Sequence, residues 1–86
     1  MSKGNKLRPL TDWYVRTIAG ENILVGWEIY ARRPVVKRID YRMVGEYRGH
    51  RHPLYVCEGR RYICSGPAAN KDVWRVYHAI ADRGSV

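Results

Sequence analysis

Residues 23–31, ILVGWEIYA, constrain this chain more than any other stretch. Val, Ile and the aromatic residues lose side-chain freedom against a helical turn but fit the pleated surface of a strand. Alternation then places Ile23, Val25, Trp27, Ile29 and Ala31 on one face. Leu24, Gly26, Glu28 and Tyr30 fall on the other. Gly26 beside Trp27 allows a bend or a close approach of backbone.

The neighbouring segments read the same way. DWYVRTI at 12–18 predicts a first strand, and AGEN at 19–22 is turn chemistry. Arg32-Arg33-Pro34 ends the second strand. A third is expected through about 36–47, with Ile39, Tyr41 and Met43 on one face and Arg38, Asp40 and Arg42 on the other. Loop 48–53, RGHRHP, separates it from LYVC and YIC, which read as a hairpin. With Gly59-Arg60 as its two-residue loop, Glu58 faces Arg61 and Val56 faces Ile63. Gly66-Pro67 stops the sheet. Residues 68–83 then carry a helical stripe of Val73, Val76, Tyr77 and Ile80, with Gly84 as a stop.

The expected fold is therefore α+β. A five-stranded antiparallel meander, either a twisted sheet or a small half-open barrel, carries one C-terminal helix packed on it. Residues 1–10, with Lys3, Lys6 and Arg8 and no acid, read as a flexible basic tail. Residues 11–86 form one β5-α domain, since 86 residues accommodate a single small core.

Charge sets the functional expectation. Sixteen Lys and Arg, mostly Arg, face eight Asp and Glu, for a formal net charge of +8. Such a balance calls for a polyanionic partner, and the Arg fork matches phosphate and carboxylate geometry. Three Trp and seven Tyr, with no Phe, add side chains suited to half-buried surfaces and interfaces.

In a five-stranded meander, loops alternate between the two ends of the sheet. The second and fourth loops then share an end, gathering Arg32, Arg33, Lys37, Arg60 and Arg61. Arg38 and Arg42 extend the patch along the third strand, and Tyr30 and Tyr62 flank it. Cations neutralise phosphates while exposed aromatics stack bases, so single-stranded nucleic acid is the favoured partner. An acidic protein surface is the alternative, because Tyr, Trp and Arg also dominate protein hot spots. That alternative is a small regulator or inhibitor of the size phages and mobile elements encode. Arg48, His50, Arg51 and His52, expected at the opposite end, form a secondary contact.

His50, His52, Cys57 and Cys64 are the only residues that suggest a metal. Zinc takes four such ligands, but this spacing matches no finger or ribbon. Two cysteines are too few for a disulfide framework, so buried free thiols are expected and neither a metal nor another cofactor is. No GxxxxGK[ST], GxSxG or HExxH occurs, and the acids are scattered, so the expectation is a non-enzymatic protein. One predicted helix excludes a helix-turn-helix, and the residues after Arg48-Gly49 depart from the RNP1 pattern. No apolar run reaches the ~20 residues of a membrane span and no apolar leader opens the chain, which points to the cytoplasm.

Overall fold

The structure, a computed structural model, describes residues 6–70 together with Asp72, Arg75 and Ala79. Six strands follow one another: β1 (Leu7–Ile18), β2 (Glu21–Glu28), β3 (Arg33–Arg38), β4 (Tyr41–Tyr47), β5 (His50–Cys57) and β6 (Arg60–Ile63). They form one mixed sheet in the order β3-β2-β1-β6-β5-β4. Two antiparallel three-stranded units, β1-β2-β3 and β4-β5-β6, meet where β1 runs parallel to β6.

This architecture corrects the five-stranded antiparallel meander with its C-terminal helix. The expected third strand is two strands, because the backbone turns at Ile39 and Asp40. There Ile39 N–H donates to the Asn22 carbonyl at 2.9 Å and Asp40 N–H to the Val56 carbonyl at 2.8 Å. The added strand pair at the sheet centre is parallel, which no meander contains. No continuous helix stands among the described residues. The start of the expected helix, residues 68–70, instead lies along β1: Ala68 bridges Trp13, and Ala69 N–H donates to the Trp13 carbonyl. Most of the remainder of 68–83 lies outside the described residues. β1 itself begins at Leu7, so Arg8, Pro9 and Leu10, assigned to a basic tail, belong to the sheet.

Three of the connections are two-residue turns of one kind. Ala19-Gly20, Arg48-Gly49 and Glu58-Gly59 all have positive φ at both positions (52 and 81°, 52 and 81°, 54 and 78°). Two left-handed residues make the mirror-image turn whose twist matches that of the strands, and glycine adopts the second position without steric cost. The last turn corrects the hairpin register. Glu58-Gly59, not Gly59-Arg60, forms the loop, so Cys57 faces Arg60 and Val56 faces Arg61. Glu58 is thereby freed from Arg61 and pairs with Lys37 of β3 at 3.1 Å.

The alternation of β2 is as expected: Leu24, Gly26 and Glu28 share the inner face of the sheet. Leu10, Leu24, Val35, Tyr55, Cys57, Tyr62 and Cys64 form the buried cluster there, with Trp13 and Ile39 against it. Val35 of β3 thus packs with residues of β5 and β6, although β2 and β1 intervene in the sheet. The sheet curls over this face. A second cluster, Tyr14 and Val25 with Trp27 and Val36, covers the outer face of β1–β3, and Leu54, Val56 and Ile63 form a third on β4–β6.

The segment after β6 straps the two units together. Gly66 N–H donates to the Leu10 carbonyl, Asp12 N–H to the Pro67 carbonyl, and the Trp13 indole N–H to the Gly66 carbonyl at 2.9 Å. Asp12 sits in the left-handed region at φ 50°, in the irregularity between Thr11 and Tyr14 that redirects β1. The approach at Gly66 is close: a Cβ there would lie 2.9 Å from Thr11 Cα and 2.6 Å from its Cβ. Gly66→Ala is therefore expected to cost about 1–3 kcal/mol through overpacking. Urea unfolding of the variant beside the parent measures this, and an unchanged midpoint would show that the strap gives way without cost.

Candidate functional site

Strand register distributes the cations between two faces. On β3, Arg33 and Lys37 face Glu28 and Leu24, so they lie on the inner face with Val35. On β4 and β5, Arg42 faces Tyr55, and Arg51 shares the parity of Tyr55 and Cys57. On β6, Arg60 faces Cys57. Arg33, Lys37, Arg42, Arg51 and Arg60 therefore surround one curled, partly apolar surface. Arg38, across from Ile23, and Arg61, across from Val56, belong to the outer face.

A groove of about 320 Å³ opens on the inner face, lined by Arg33, Pro34, Val35, Val36, Lys37, Arg60 and Tyr62. Two of its three cations already have partners. Arg33 Nε donates to Glu28 Oε1 at 3.2 Å, and Lys37 Nζ lies 3.1 Å from Glu58 Oε2. Glu28 is 3 % exposed and also accepts from Arg8 Nη1 at 3.1 Å. A carboxylate removed from water needs such partners to offset lost hydration. It holds Arg8 of β1 and Arg33 of β3 on either side of β2. Among the described residues, Arg32, Arg42, Arg48, Arg51, Arg60 and Arg61 make no ion pair. The Arg42 guanidinium lies 6.0 Å from the Tyr55 ring centre, within the range of a cation–π contact.

The expected meeting of the second and fourth loops does not occur. The extra turn at Ile39–Asp40 reverses which loops share an end. Residues 19–20, 39–40 and 58–59 lie together: Glu58 N–H donates to Asp40 Oδ2 at 2.8 Å, and Arg38 lies 3.7 Å from Glu21. Residues 29–32 and 48–49 lie at the other end. Arg32 ends the turn and Arg33 starts β3 there, whereas Arg60 and Arg61 start β6 at the first end. Arg33 and Arg60 still share the groove, because it runs along β3. Arg32 is exposed and lies outside it, and Arg38 is occupied by Glu21 and Asp40.

Tyr30 and Tyr62 do not flank one patch. Tyr62 is 1 % exposed, a core residue with no free ring face. Tyr30 is 65 % exposed and joins Tyr47 and Arg48 at the far end. Arg48 Nη2 donates to the Tyr30 hydroxyl at 2.7 Å, its guanidinium carbon lies 5.3 Å from the Tyr47 ring centre, and the two hydroxyls are 3.3 Å apart. The hydrogen bond with Tyr47, then the charge of Arg48, lowers the Tyr30 phenol below its ordinary range. Tyr47 appeared in the sequence only as one more strand residue. Its role follows from closing the turn that carries Arg48.

The possible metal ligands diverge. His50 and His52 sit in β5, not in a loop, on the outer-face parity of Leu54 and Val56. Their rings are 6.4 Å apart, edge to face. Cys57 and Cys64 are free, buried thiols in the inner cluster. Among the described residues, no three His, Cys, Asp or Glu side chains are grouped to hold an ion. Nor is any helix among them long and apolar enough to cross a membrane.

Burial first, and for Cys57 the nearby Asp40 and Glu58, push both thiols from 9.0 up to about 12. Neutral thiols are poor nucleophiles. Iodoacetamide at pH 8 is expected to leave the native protein unlabelled and to label both cysteines in denaturant, read by intact mass. The linkage has a definite sign. Below pH 9 both states keep the protons and stability is complete. Between pH 9 and about 12 only the unfolded thiols ionise, so stability falls with rising pH. Rapid labelling of the native protein would contradict the buried placement.

The chain matches no known protein family, no curated protein and no solved structure.

Proposed function

We propose that this chain is a non-enzymatic nucleic-acid-binding module that grips a single strand along its inner face. The observation that carries the reading is the register. It supports Arg42, Arg51 and Arg60, all free of ion pairs among the described residues, acting on the same face as the Arg33–Lys37 groove. Arg60 and Arg51 supply phosphate contacts. Lys37 adds to them by exchanging Glu58 for a phosphate oxygen, a surface pair in which water already competes, while Arg33 keeps its Nε on buried Glu28 and adds its positive charge to the groove. Tyr30 at the far end offers an exposed ring for a base to stack on, with Arg48 beside it for the backbone. Arg32, Arg38, Arg61, His50 and His52 contribute positive or polar surface outside this track.

A second reading, a protein-interaction regulator or inhibitor that docks on an acidic partner, is favoured by the Tyr30–Tyr47–Arg48 cluster. Its side chains are held by mutual contacts before any partner arrives, and Tyr and Arg are hot-spot residues.

Labelled single-stranded DNA, duplex DNA and RNA, titrated over a series of salt concentrations, separate the two. The module is expected to bind a single strand at physiological salt, with log affinity falling linearly in log salt. Arg51→Ala with Arg60→Ala is expected to reduce that slope by about 1.4, near 0.7 for each lost phosphate contact on a single strand. Arg38→Ala, on the outer face, is expected to leave the slope unchanged. Binding that disappears at physiological salt for all three nucleic acids would overturn the module and direct the search to an acidic protein.

A further inference from the structure

The two edges of the sheet differ in kind. β3 at one edge carries Pro34, which has no N–H to donate, between Arg33 and the pair Lys37-Arg38. Proline and crowded charge are standard means of keeping an edge from pairing. β4 at the other edge, YRMVGEY, has no proline and one charge of each sign. Among the described residues its only strand partner is β5. Tyr41, Met43 and Val44 are exposed there, at 57, 39 and 61 %.

The turn into β5 fixes which backbone groups of β4 are free. Tyr47 and His50 flank the two-residue turn Arg48-Gly49, so they form a hydrogen-bonded pair. Alternation makes Gly45–His52 and Met43–Leu54 bonded pairs as well. The Pro53 carbonyl agrees, since it is turned away from β4 and accepts from Cys64 N–H at 2.9 Å. Arg42, Val44 and Glu46 therefore aim their N–H and C=O groups out of the sheet.

We infer that β4 pairs antiparallel with β4 of a second copy of this chain, about a two-fold axis through Val44. Pairing all of Tyr41–Tyr47 with its own copy requires the axis at the middle residue, Val44, and because Val44 faces outward the two copies of it form a hydrogen-bonded pair there. The sequence complements itself in that register. Val44 meets Val44, Arg42 meets Glu46, Tyr41 meets Tyr47 and Met43 meets Gly45 of the second copy. Arg42 and Glu46 make no ion pair within one chain among the described residues, so both are available. Opposite charges and aromatic pairs directly across an antiparallel ladder are favourable, and like charges there are not. The contact is isologous, satisfies the open edge on both copies, and closes after two chains because the β3 edge is blunted. It does not depend on the nucleic-acid reading.

Sedimentation over a concentration series, with charge-altered variants, tests this. The parent chain is expected to be a concentration-dependent dimer. Arg42→Glu and Glu46→Arg each set two like-charge pairs across the axis and are expected to weaken the dimer by about tenfold or more. Mixing the two single variants restores both opposite-charge pairs in a heterodimer, and so does the double variant R42E/E46R in its homodimer. Recovery in both therefore supports β4 self-pairing. A parent that stays monomeric throughout, single variants that dimerise like the parent, or a mixture that stays as weak as its components would each overturn it. The mixture also excludes misfolding as the cause of weakening, since two misfolded chains would not recover by being combined.

Discussion

The structure depends on the short parallel seam between β1 and β6. Only Leu7–Arg61, Arg8–Tyr62 and Pro9–Ile63 are in register across it, and Pro9 brings no N–H. Yet without this seam neither three-stranded unit has a full core, because the inner cluster draws Leu10, Leu24 and Val35 from one and Tyr55, Cys57 and Tyr62 from the other. The chain reinforces the seam by a second route. β1 is long enough to serve both units, and the segment after β6 returns along it through the Leu10, Trp13, Gly66 and Pro67 bonds. Burial of the inner cluster and the strap are thus two parts of one constraint, since each holds the other's strands at the right separation.

That constraint decides where charge can sit. Once the sheet curls, the inner-face positions near its centre must be apolar, and cations are confined to strand ends and edges. Arg33 and Lys37 on β3, Arg42 on β4 and Arg60 at the start of β6 occupy those places. Glu28, the last residue of β2, is the one charge among the described residues that is buried. It is retained because Arg8 and Arg33 reach it from both sides, so one buried carboxylate links β1, β2 and β3 through side chains as well as backbone.

Much of the strand content was legible because Val, Ile, Tyr and Trp alternate with polar residues over long runs, most clearly in β2. What escaped was punctuation. Ile39-Asp40 has neither glycine nor proline, and its turn is held by tertiary bonds to Asn22, Val56 and Glu58 that no local pattern announces. That one missed break added a strand, and with it exchanged the ends at which Arg48 and Arg60 lie. Gly59 was visible as a turn residue, but local preference did not say whether it came first or second in the loop. The N-terminal half of β1 was hidden by Arg8 and Pro9, which resemble a tail until β6 is placed beside them. The candidate site was therefore legible as a set of residue types and misread as an arrangement, with Tyr62 in the core and Tyr30 beside Arg48.

The three mirror-image turns have a cost of their own. Ala19, Arg48 and Glu58 are not glycine, asparagine or aspartate, yet each holds a left-handed backbone that disfavours a Cβ by roughly 1 kcal/mol. None gains the local side-chain hydrogen bonding that makes asparagine tolerant there. Arg48 and Glu58 spend their side chains elsewhere, on Tyr30 and on Lys37. The hairpins are thus sprung rather than relaxed, and the conformational energy held in them is an untapped reserve. The chain has kept side chains that reach across to other strands at two of its tightest bends, where a better turn former would have made a more durable but less connected sheet.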